Sequence, residues 1–514
     1  MRFKVTYVLQ PKLNDDSRQI KYFQYFKRLK GSSSAQPHAL QCEPNRSSFL
    51  KQALILTSKR KILLTFWFLA LAPIYTTLVV SISGSHFFAD DFLWGSRFLD
   101  SPGSLINGSA YAGRLLGNNL YWYFMGLAAG HSSAVPYLMT NLSLILASYF
   151  LLYHSLKSYR SALLISFTFL SMSSSLFDTV LWAANISHCL GFFFVAVTIC
   201  FLTRVKDQSS RRRTLAYLPL ISLVASLAIL SNQIFIGPAF LLVVWSLFVV
   251  FNITRFSKVY SLHALSSVLW LLLVCVFSLK SSNQFWESFG ARDLYGLSIH
   301  AIRPNIDWYW NLLVANNSFQ KTLLITAIFS WVTLIVMRLY RRDRVVQVFG
   351  GPILGLSVLI PVLAQANQHS STYLLLPLAA SAFVYQHETV DTKFDSRFLV
   401  NLVQYLLVIS MVALLFLSGR GTRSYFSGNS RGQSLSNISQ EVERTRDTSL
   451  CFVFESQAEL QRFAAETQAG AAFLKPFGSL LSITLSGDGS DCQNSEAEAK
   501  VQRNSDGIWN ISGD

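Results

Sequence analysis

The chain has 514 residues, of which 51% are hydrophobic and 14% are charged, and its formal net charge is +16. This composition excludes a disordered, collagen-like or disulfide-framework protein. Apolar blocks of about 17–25 residues recur along the chain, and each can cross a hydrocarbon core of about 30 Å. The sequence therefore predicts an all-α integral membrane protein with many spans.

Residues 1–61 precede the first apolar block. They contain 13 Lys or Arg residues against three acids, Asp15, Asp16 and Glu43. Because this long basic region stands before any apolar run, a cleavable secretory signal is not expected. We interpret residues 1–61 as a basic cytosolic arm.

Residues 62–418 form the predicted membrane domain, with about eleven transmembrane helices whose boundaries are good to a few residues. The predicted spans are 62–82, 135–153, 161–177, 188–203, 214–230, 234–253, 261–279, 320–337, 346–365, 371–386 and 398–418.

Basic residues alternate between successive connections, which orients these spans. The opposite connections are longer in total, yet they contain only Arg97, Arg114, Lys280, Arg292 and Arg303. Because basic connections remain in the cytosol, the N-terminus is predicted to be cytosolic and the loops 83–134 and 280–319 external. The odd number of spans then places the C-terminus outside. The basic connections are 154–160, 204–213, 254–260, 338–345 and 387–397.

Residues 419–514 are predicted to form a small external α+β domain. Cys451 and Cys492 are expected either as a disulfide, in an oxidising compartment, or as two thiols. The six cysteines show no metal-ligand spacing, so no zinc site is expected. The predicted elements are strands at Leu450–Phe454, Ala472–Leu485 and Ile508–Ile511 and a helix at Gln457–Glu466.

The first external loop, 83–134, carries Asp90 and Asp91 among bulky Phe, Leu and Trp residues. If this stretch is a short interfacial helix, both acids lie at headgroup depth. Neighbouring residues on a helix diverge by about 100°, so the two acids are expected to have separate roles. The alternative interpretation is a helix cap or a solvated pair.

This loop resembles that of the GT-C class of membrane glycosyltransferases. The shared features are acids directly after the first span, two interfacial helices and about eleven spans. The Asp90-Asp91-Phe92 triplet followed by Gly113-Arg114 is similar to motifs of bacterial serotype-converting (O-antigen) glucosyltransferases, over residues 62–418. The resemblance implies that an external acid deprotonates an acceptor hydroxyl while a polyprenyl-phosphate sugar donates the glycosyl group.

The resemblance also implies roles for individual residues. Asp90 is the favoured general base, and Asp91 would orient the acceptor or bind a metal. Cations that would neutralise the donor phosphate are Arg114, Arg292 and Arg303, and for the last two a surface ion pair with Glu287 or Asp307 is the alternative. Candidates for binding acceptor or sugar are Trp94, Trp182, Asn185, Asn232 and Gln233.

Gln233 stands where some relatives have an acid, so a metal-binding or second-base role is not expected for it. A divalent cation such as Mg²⁺ or Mn²⁺ could help to neutralise the donor phosphate, but no cage of protein ligands is visible in the sequence. No protein metal ligand is therefore predicted.

The donor is expected to be membrane-borne. The sequence contains no Gly-rich phosphate loop or alternating βα pattern, and residues 1–61 are too short for a nucleotide-sugar domain. The expected partners are a polyprenyl-phosphate sugar, a glycan or lipid acceptor and membrane lipids, with no nucleic acid. The expected location is a bacterial inner or plasma membrane.

Two other functions fit a polytopic chain of this kind. A lipid-linked sugar transporter or flippase usually places acids, bases or broken helices at mid-membrane depth, whereas the centres of these spans carry no Asp, Glu, Lys or Arg. An O-antigen polymerase or ligase would place its key residues in a large late external loop, and 280–319 is modest by comparison.

Overall fold

The computed structural model is all-α in its membrane part and ends in a small sheet domain. Asp90, Asp91, Trp94, Arg292 and the predicted arm 1–61 lie outside the residues that it describes. Those residues are 71–83, 103, 114–129, 133–206, 211–254, 258–288, 298–314, 317–340, 345–364, 371–384, 394–428, 434, 437–438, 449–467, 482–487, 489, 492, 497–504 and 509–512.

The first half of the membrane domain contains nine described helices besides one short π-helix, Leu115–Leu120. The α-helices are α1 Leu71–Ser83, α2 Tyr121–Ala129, α3 Val135–Ser155, α4 Arg160–Met172, α5 Ser174–Val180, α6 Ile186–Lys206, α7 Arg211–Ser231, α8 Ile236–Thr254 and α9 Lys258–Ser288.

The second half adds five described helices, of which α13 is flanked by short 3-10 turns. These helices are α10 Ile302–Val314, α11 Ser318–Tyr340, α12 Val345–Leu363, α13 Leu375–Ser381 and α14 Phe394–Gly428. Helix α6 packs against α3 and α7, whereas α11 packs along α14.

The helices confirm a multi-pass membrane protein. Within the described residues, seven helices are long and apolar enough to cross a bilayer, and an eighth candidate is the bent pair α4 and α5. Three shorter apolar helices, Leu71–Ser83, Phe349–Leu363 and Ser371–Ser381, coincide with the remaining predicted spans.

One predicted span differs from the structure. The span at 161–177 is not a single straight helix, because α4 and α5 meet at 74° around Ser173. Ser173 has an extended backbone, and its hydroxyl donates to the Leu170 carbonyl at 2.7 Å. The Ser173 backbone N–H donates to the same carbonyl at 3.1 Å, so the main chain and the side chain of Ser173 together satisfy the end of α4.

The C-terminal region contains a four-stranded sheet with one helix, α15 Gln457–Thr467. The strand order is β2-β1-β3-β4, with β1 parallel to β2 and β3, and β3 antiparallel to β4. Strand β3 was not predicted, and β2 coincides with the end of the predicted run at 472–485, of which 472–481 lie outside the described residues. The strands are β1 Ser449–Val453, β2 Ser482–Ser486, β3 Ala497–Arg503 and β4 Trp509–Ser512.

A disulfide and an aromatic core stabilise this sheet region. Cys451 and Cys492 are bonded to each other, with Cα atoms 5.5 Å apart. Phe454, Phe463 and Trp509 pack ring against ring, with centroids 5.1 to 6.0 Å apart. The membrane domain contributes Trp182 to the rim of this core, so the sheet region covers the connection between α5 and α6.

Candidate functional site

Polar side chains collect at the end of the bundle where α5, α7 and α12 finish and where α6 and α8 begin. The charge pattern predicts that this end is external. We call this group the polar layer. It consists of Arg114, Asp178, Asn185, Ser187, His188, Asn232, Gln233 and Ser371, with the two neighbouring amides Asn118 and Asn119.

Arg114 links the first external loop to the turn between α7 and α8. It precedes the π-helix, and its Nε donates to Gln233 Oε1 at 3.2 Å. The Arg114 charge also lies within electrostatic reach of His188. Two residues that the sequence placed in one site, Arg114 and Gln233, are therefore direct neighbours.

Asn232 holds this turn against the start of α6. Its Nδ2 donates to Ser187 Oγ at 3.2 Å and lies 3.3 Å from His188 Nε2. Its Oδ1 accepts the backbone N–H of Ile234 at 3.2 Å, which caps the 3-10 turn before α8. Both ends of the Asn232 amide are thus engaged in positioning the turn.

His188 stands at the centre of the layer. The ring of Tyr373 packs edge to face against it, with centroids 5.2 Å apart. Its Nδ1 is buried and has no hydrogen-bond partner among the described residues. Because the Asn232 amide nitrogen can only donate, this contact requires Nε2 as the acceptor and places the ring proton on Nδ1.

Asp178 is the acid that the described residues contribute to this layer. Its Oδ2 accepts a short hydrogen bond from Ser371 Oγ, 193 residues later in the chain. Its backbone carbonyl accepts from Asn185 Nδ2 at 2.9 Å. These two contacts hold α5, the 3-10 turn before α6 and the segment before α13 together.

The π-helix beside Arg114 contributes two buried amides. Asn118 and Asn119 are 3% and 0% exposed, and Asn119 has no hydrogen-bond partner for either amide atom among the described residues. Unpartnered buried polar atoms are rare and usually mark bound water, a ligand or strain. Single-turn π segments in helices often occur at functional sites.

Gly117 explains how the π-helix approaches α6 and α7 so closely. A Cβ at this position would lie 2.6 Å from Ser187 Cβ and 2.8 Å from the Ser231 carbonyl oxygen. Only a residue without a side chain fits there, because both neighbours are close-packed atoms rather than flexible side-chain ends.

The contacts of Trp182 are those of a residue that stabilises the fold. Its indole packs against the core of the sheet region, and its carbonyl oxygen accepts from Asn141 Nδ2 at 3.0 Å. Asn141 is fully buried in α3 and also reaches the carbonyl of Thr179 at 3.3 Å. The connection between α5 and α6 is thus held by Asn141 of α3 and covered by the sheet region.

The predicted site residues fall into three groups. Arg114, Asn185, Asn232 and Gln233 come together in the polar layer, and Trp182 lies beside it. Arg303 is exposed on α10 and makes no hydrogen bond to the layer among the described residues. Asp90, Asp91, Trp94 and Arg292 lie outside the described residues.

Asp178 and His188 belong to the layer but were not among the predicted site residues. Asn118, Asn119, Ser371 and Tyr373 were not predicted either. A usable signal existed for Asp178, because it is a lone acid in the apolar run Leu176–Val180. Intramembrane or near-membrane acids in such a context are functional candidates by default.

The described residues do not form a metal site. They contain no group of three or more His, Cys, Asp or Glu side chains that could hold a metal ion. A Mg²⁺ or Mn²⁺ ion at the layer would therefore require ligands outside the described ranges, such as Asp90 and Asp91.

Comparison with known proteins gives a distant structural similarity. No family model and no curated protein matches the chain. A crystal structure of an Archaeoglobus fulgidus oligosaccharyltransferase in complex with Zn and sulfate matches at 11% identity and a TM-score of 0.39. That match covers 80% of this chain and 62% of the other.

A second solved structure is the archaeal oligosaccharyltransferase AglB from Archaeoglobus fulgidus in complex with an inhibitory peptide and a dolichol-phosphate. It matches at 12% identity and a TM-score of 0.36, over 74% of this chain and 58% of the other. The chain thus spans less than two thirds of the length of either structure. At these TM-scores the similarity carries no conclusion on activity, which has to be derived from this chain's own residues.

Proposed function

We propose that this protein is a GT-C-like membrane glycosyltransferase. It would move one sugar from a polyprenyl-phosphate carrier to a glycan or lipid acceptor on the external side of the membrane. The acceptor is expected to be part of a cell-envelope polysaccharide or its lipid precursor, and the sugar glucose. The specific support for glucose is the motif similarity of Asp90-Asp91-Phe92 and Gly113-Arg114.

The observation that carries the proposal is the Arg114–Gln233 hydrogen bond at 3.2 Å. It joins the loop that bears the acidic pair to a turn between two spanning helices, inside a layer of buried polar groups. A cation in a partly buried, low-dielectric position is the group that a leaving lipid phosphate requires.

The proposed reaction is a displacement at the anomeric carbon. Asp90 takes the proton of the acceptor hydroxyl, the hydroxyl oxygen bonds to the anomeric carbon, and the bond to the phosphate oxygen breaks. The bonding electrons leave with the phosphate, so its charge develops where Arg114 can stabilise it. A single displacement inverts the configuration at that carbon.

The remaining groups of the layer would position these reactants. Asp91 orients the acceptor, or binds a divalent ion that would supply further charge neutralisation of the phosphate. Gln233 fixes the orientation of the Arg114 guanidinium by accepting a hydrogen bond from its Nε. Arg292 is proposed as an additional cation for the donor phosphate, whereas Arg303 lies exposed on α10 without a hydrogen bond to the layer among the described residues.

The orientation of the chain follows from the same proposal. The arm 1–61 is cytosolic, residues 62–418 form the membrane domain, and the domain 419–514 is external. The Cys451–Cys492 disulfide supports the external placement of that domain, because disulfides persist in oxidising compartments. The membrane is proposed to be a bacterial inner or plasma membrane.

The experiment that tests the proposal measures transfer from a polyprenyl-phosphate-linked radiolabelled glucose into membrane-bound acceptor. Membranes containing the full chain are compared with membranes containing Asp90→Asn or Asp91→Asn at matched protein levels. Asp307→Asn is the control, because this exposed acid on α10 has no proposed role. We expect a large loss in Asp90→Asn, a smaller one in Asp91→Asn and normal transfer by the control.

Undiminished transfer by both loop variants would overturn the mechanism. Absence of transfer by the unchanged chain with several polyprenyl-phosphate hexoses would point instead to the second candidate function.

That second candidate is a transporter or flippase for lipid-linked sugar. The 74° bend between α4 and α5 favours it, since broken helices line substrate paths in many transporters. A transporter would move labelled lipid-phosphate sugar between leaflets without transferring it. A leaflet assay with the same labelled donor therefore distinguishes the two functions.

A further inference from the structure

Helix α10 has an unusual distribution of exposed residues for a helix outside the spanning set. Asn305 and Tyr309 are buried on one side of it, and Val314 is buried at its C-terminal end. Its exposed side carries Ile306 at 46% and Trp310 at 40% exposure, and the turn before it carries Ile299 at 84%. We call these three side chains, Ile299, Ile306 and Trp310, the apolar edge. Their exposure to water is energetically costly.

Two hydrogen bonds to backbone carbonyl groups fix the position of this edge. Asn305 Nδ2 donates to the Leu363 carbonyl at 2.9 Å, and the Ser298 N–H donates to the Ala364 carbonyl at 2.7 Å. Both acceptors belong to the end of α12, where carbonyls have no partner within the helix. The segment 298–314 is therefore tied to the predicted external end of a spanning helix.

Arg303 lies at the boundary of the apolar edge. At about 100° per residue, Ile306, Trp310 and Arg303 fall within about 60° of one another on the helix surface. Asp307 and Asn311 lie on the other side of Arg303 and are exposed. Within the described residues, Arg303 forms no ion pair with Asp307. The exposed surface thus passes from apolar to cationic to polar.

This order matches the order of layers in a bilayer surface. Apolar side chains enter the acyl boundary, an Arg reaches the phosphates and polar residues face water. The edge also adjoins surfaces that must face lipid, because α10 packs against α11, whose Phe319, Ile325 and Phe329 are exposed.

We infer that the exposed face of α10 docks on the external leaflet, with Arg303 binding the phosphate of an anionic lipid headgroup and Ile299, Ile306 and Trp310 in the acyl boundary. The occupant is a membrane lipid rather than a second protein, because the face is continuous with the lipid-facing surface of a spanning helix. The docking does not depend on glycosyl transfer.

The test uses the full chain reconstituted in vesicles of phosphatidylcholine with the anionic phosphatidylglycerol. Ile306, Trp310 or Asn311 is replaced, one at a time, by the photo-crosslinking residue benzoylphenylalanine, and adducts are identified by mass spectrometry. We expect lipid adducts at positions 306 and 310 and few or none at the control position 311. Equal lipid yields at all three positions, or adducts of dimer size, would overturn the inference.

The phosphate contact is tested in the chain labelled at position 306. Arg303→Gln is expected to lower the share of phosphatidylglycerol among the lipid adducts about fivefold, whereas Arg303→Lys preserves it. The phosphatidylcholine adducts report whether the helix remains at the membrane in both variants. An unchanged phosphatidylglycerol share in Arg303→Gln would remove Arg303 from the docking surface.

Discussion

Polar side chains occur both in the polar layer and inside the membrane-spanning bundle, but they are used differently. In the bundle, Tyr149 pairs with Ser166 at 2.8 Å and Ser222 donates to the Ser267 carbonyl at 2.8 Å, whereas the buried Ser267 hydroxyl has no partner among the described residues. The polar layer instead combines a cation, an acid and amides. Neutral, paired hydroxyls stabilise helix packing, whereas charged and partly unpartnered groups are suited to binding.

The strongest test of this difference is removal of the cation. Arg114→Gln deletes the charge that would stabilise the leaving phosphate, so we expect transfer to fall by about 100-fold. Arg114→Lys keeps the charge but loses the planar guanidinium, and an intermediate loss is expected. Transfer assays with the labelled lipid donor measure both. Equal activity of the Gln variant and the unchanged chain would exclude Arg114 from phosphate binding.

Close packing of the π-helix against α6 and α7 gives the next largest effect. Gly117→Ala places a Cβ 2.6 Å from Ser187, and the resulting shift should lower stability by about 1–3 kcal/mol. Thermal unfolding of the purified chain in detergent measures it. Gly103→Ala is the matched control, because an added Cβ there meets nothing within 4 Å. Similar unfolding temperatures for the two variants would contradict the packing described for Gly117.

Asp178 is expected to stabilise the protein mainly through its hydrogen bond with Ser371. Asp178→Ala leaves the buried Ser371 hydroxyl without its acceptor, which costs about 1–3 kcal/mol in stability. Asp178→Asn retains an acceptor oxygen and should cost less. If the unfolding temperatures of the two variants coincide, the Ser371 contact does not account for the contribution of Asp178 to stability.

The smallest effect is expected in the bundle interior. Tyr149→Phe removes the hydroxyl that pairs with Ser166 and should cost about 0.6 kcal/mol, the average for interhelical hydrogen bonds in membranes. Transfer activity should be unchanged. A large loss of transfer by this variant at normal protein levels would show that bundle hydroxyls contribute to the reaction as the polar layer does.

The sequence predicts the helices well because the bilayer fixes their length and composition. Within the described residues, eight of the eleven predicted spans match the seven long apolar helices and the bent pair, and the other three overlap shorter apolar helices. The bend at Ser173 was not predicted as such, although a run of serines at 171 and 173–175 marked a polar interruption there. Hydropathy reports how apolar a segment is and does not report its direction.

The sheet region was less predictable. Strand β3 consists of Ala, Glu, Lys, Gln and Arg residues around the single buried Val501, so its pattern lacks the usual β-branched and aromatic residues. Its place between β1 and β4 comes from tertiary pairing. The pairing of Asp178 with Ser371, 193 residues away, likewise has no local signal, although the lone acid itself stands out in its apolar run.

In the proposed mechanism the polar layer faces the outside and hosts the reaction. Single cysteines at Asp90 and Arg114 are labelled with a membrane-impermeant maleimide in intact cells, with a cysteine at Lys157 as the cytosolic control. We expect labelling at 90 and 114 from outside, and labelling at 157 only after the membrane is opened. If 90 and 114 react only from the cytosol, the layer faces the wrong side for this reaction.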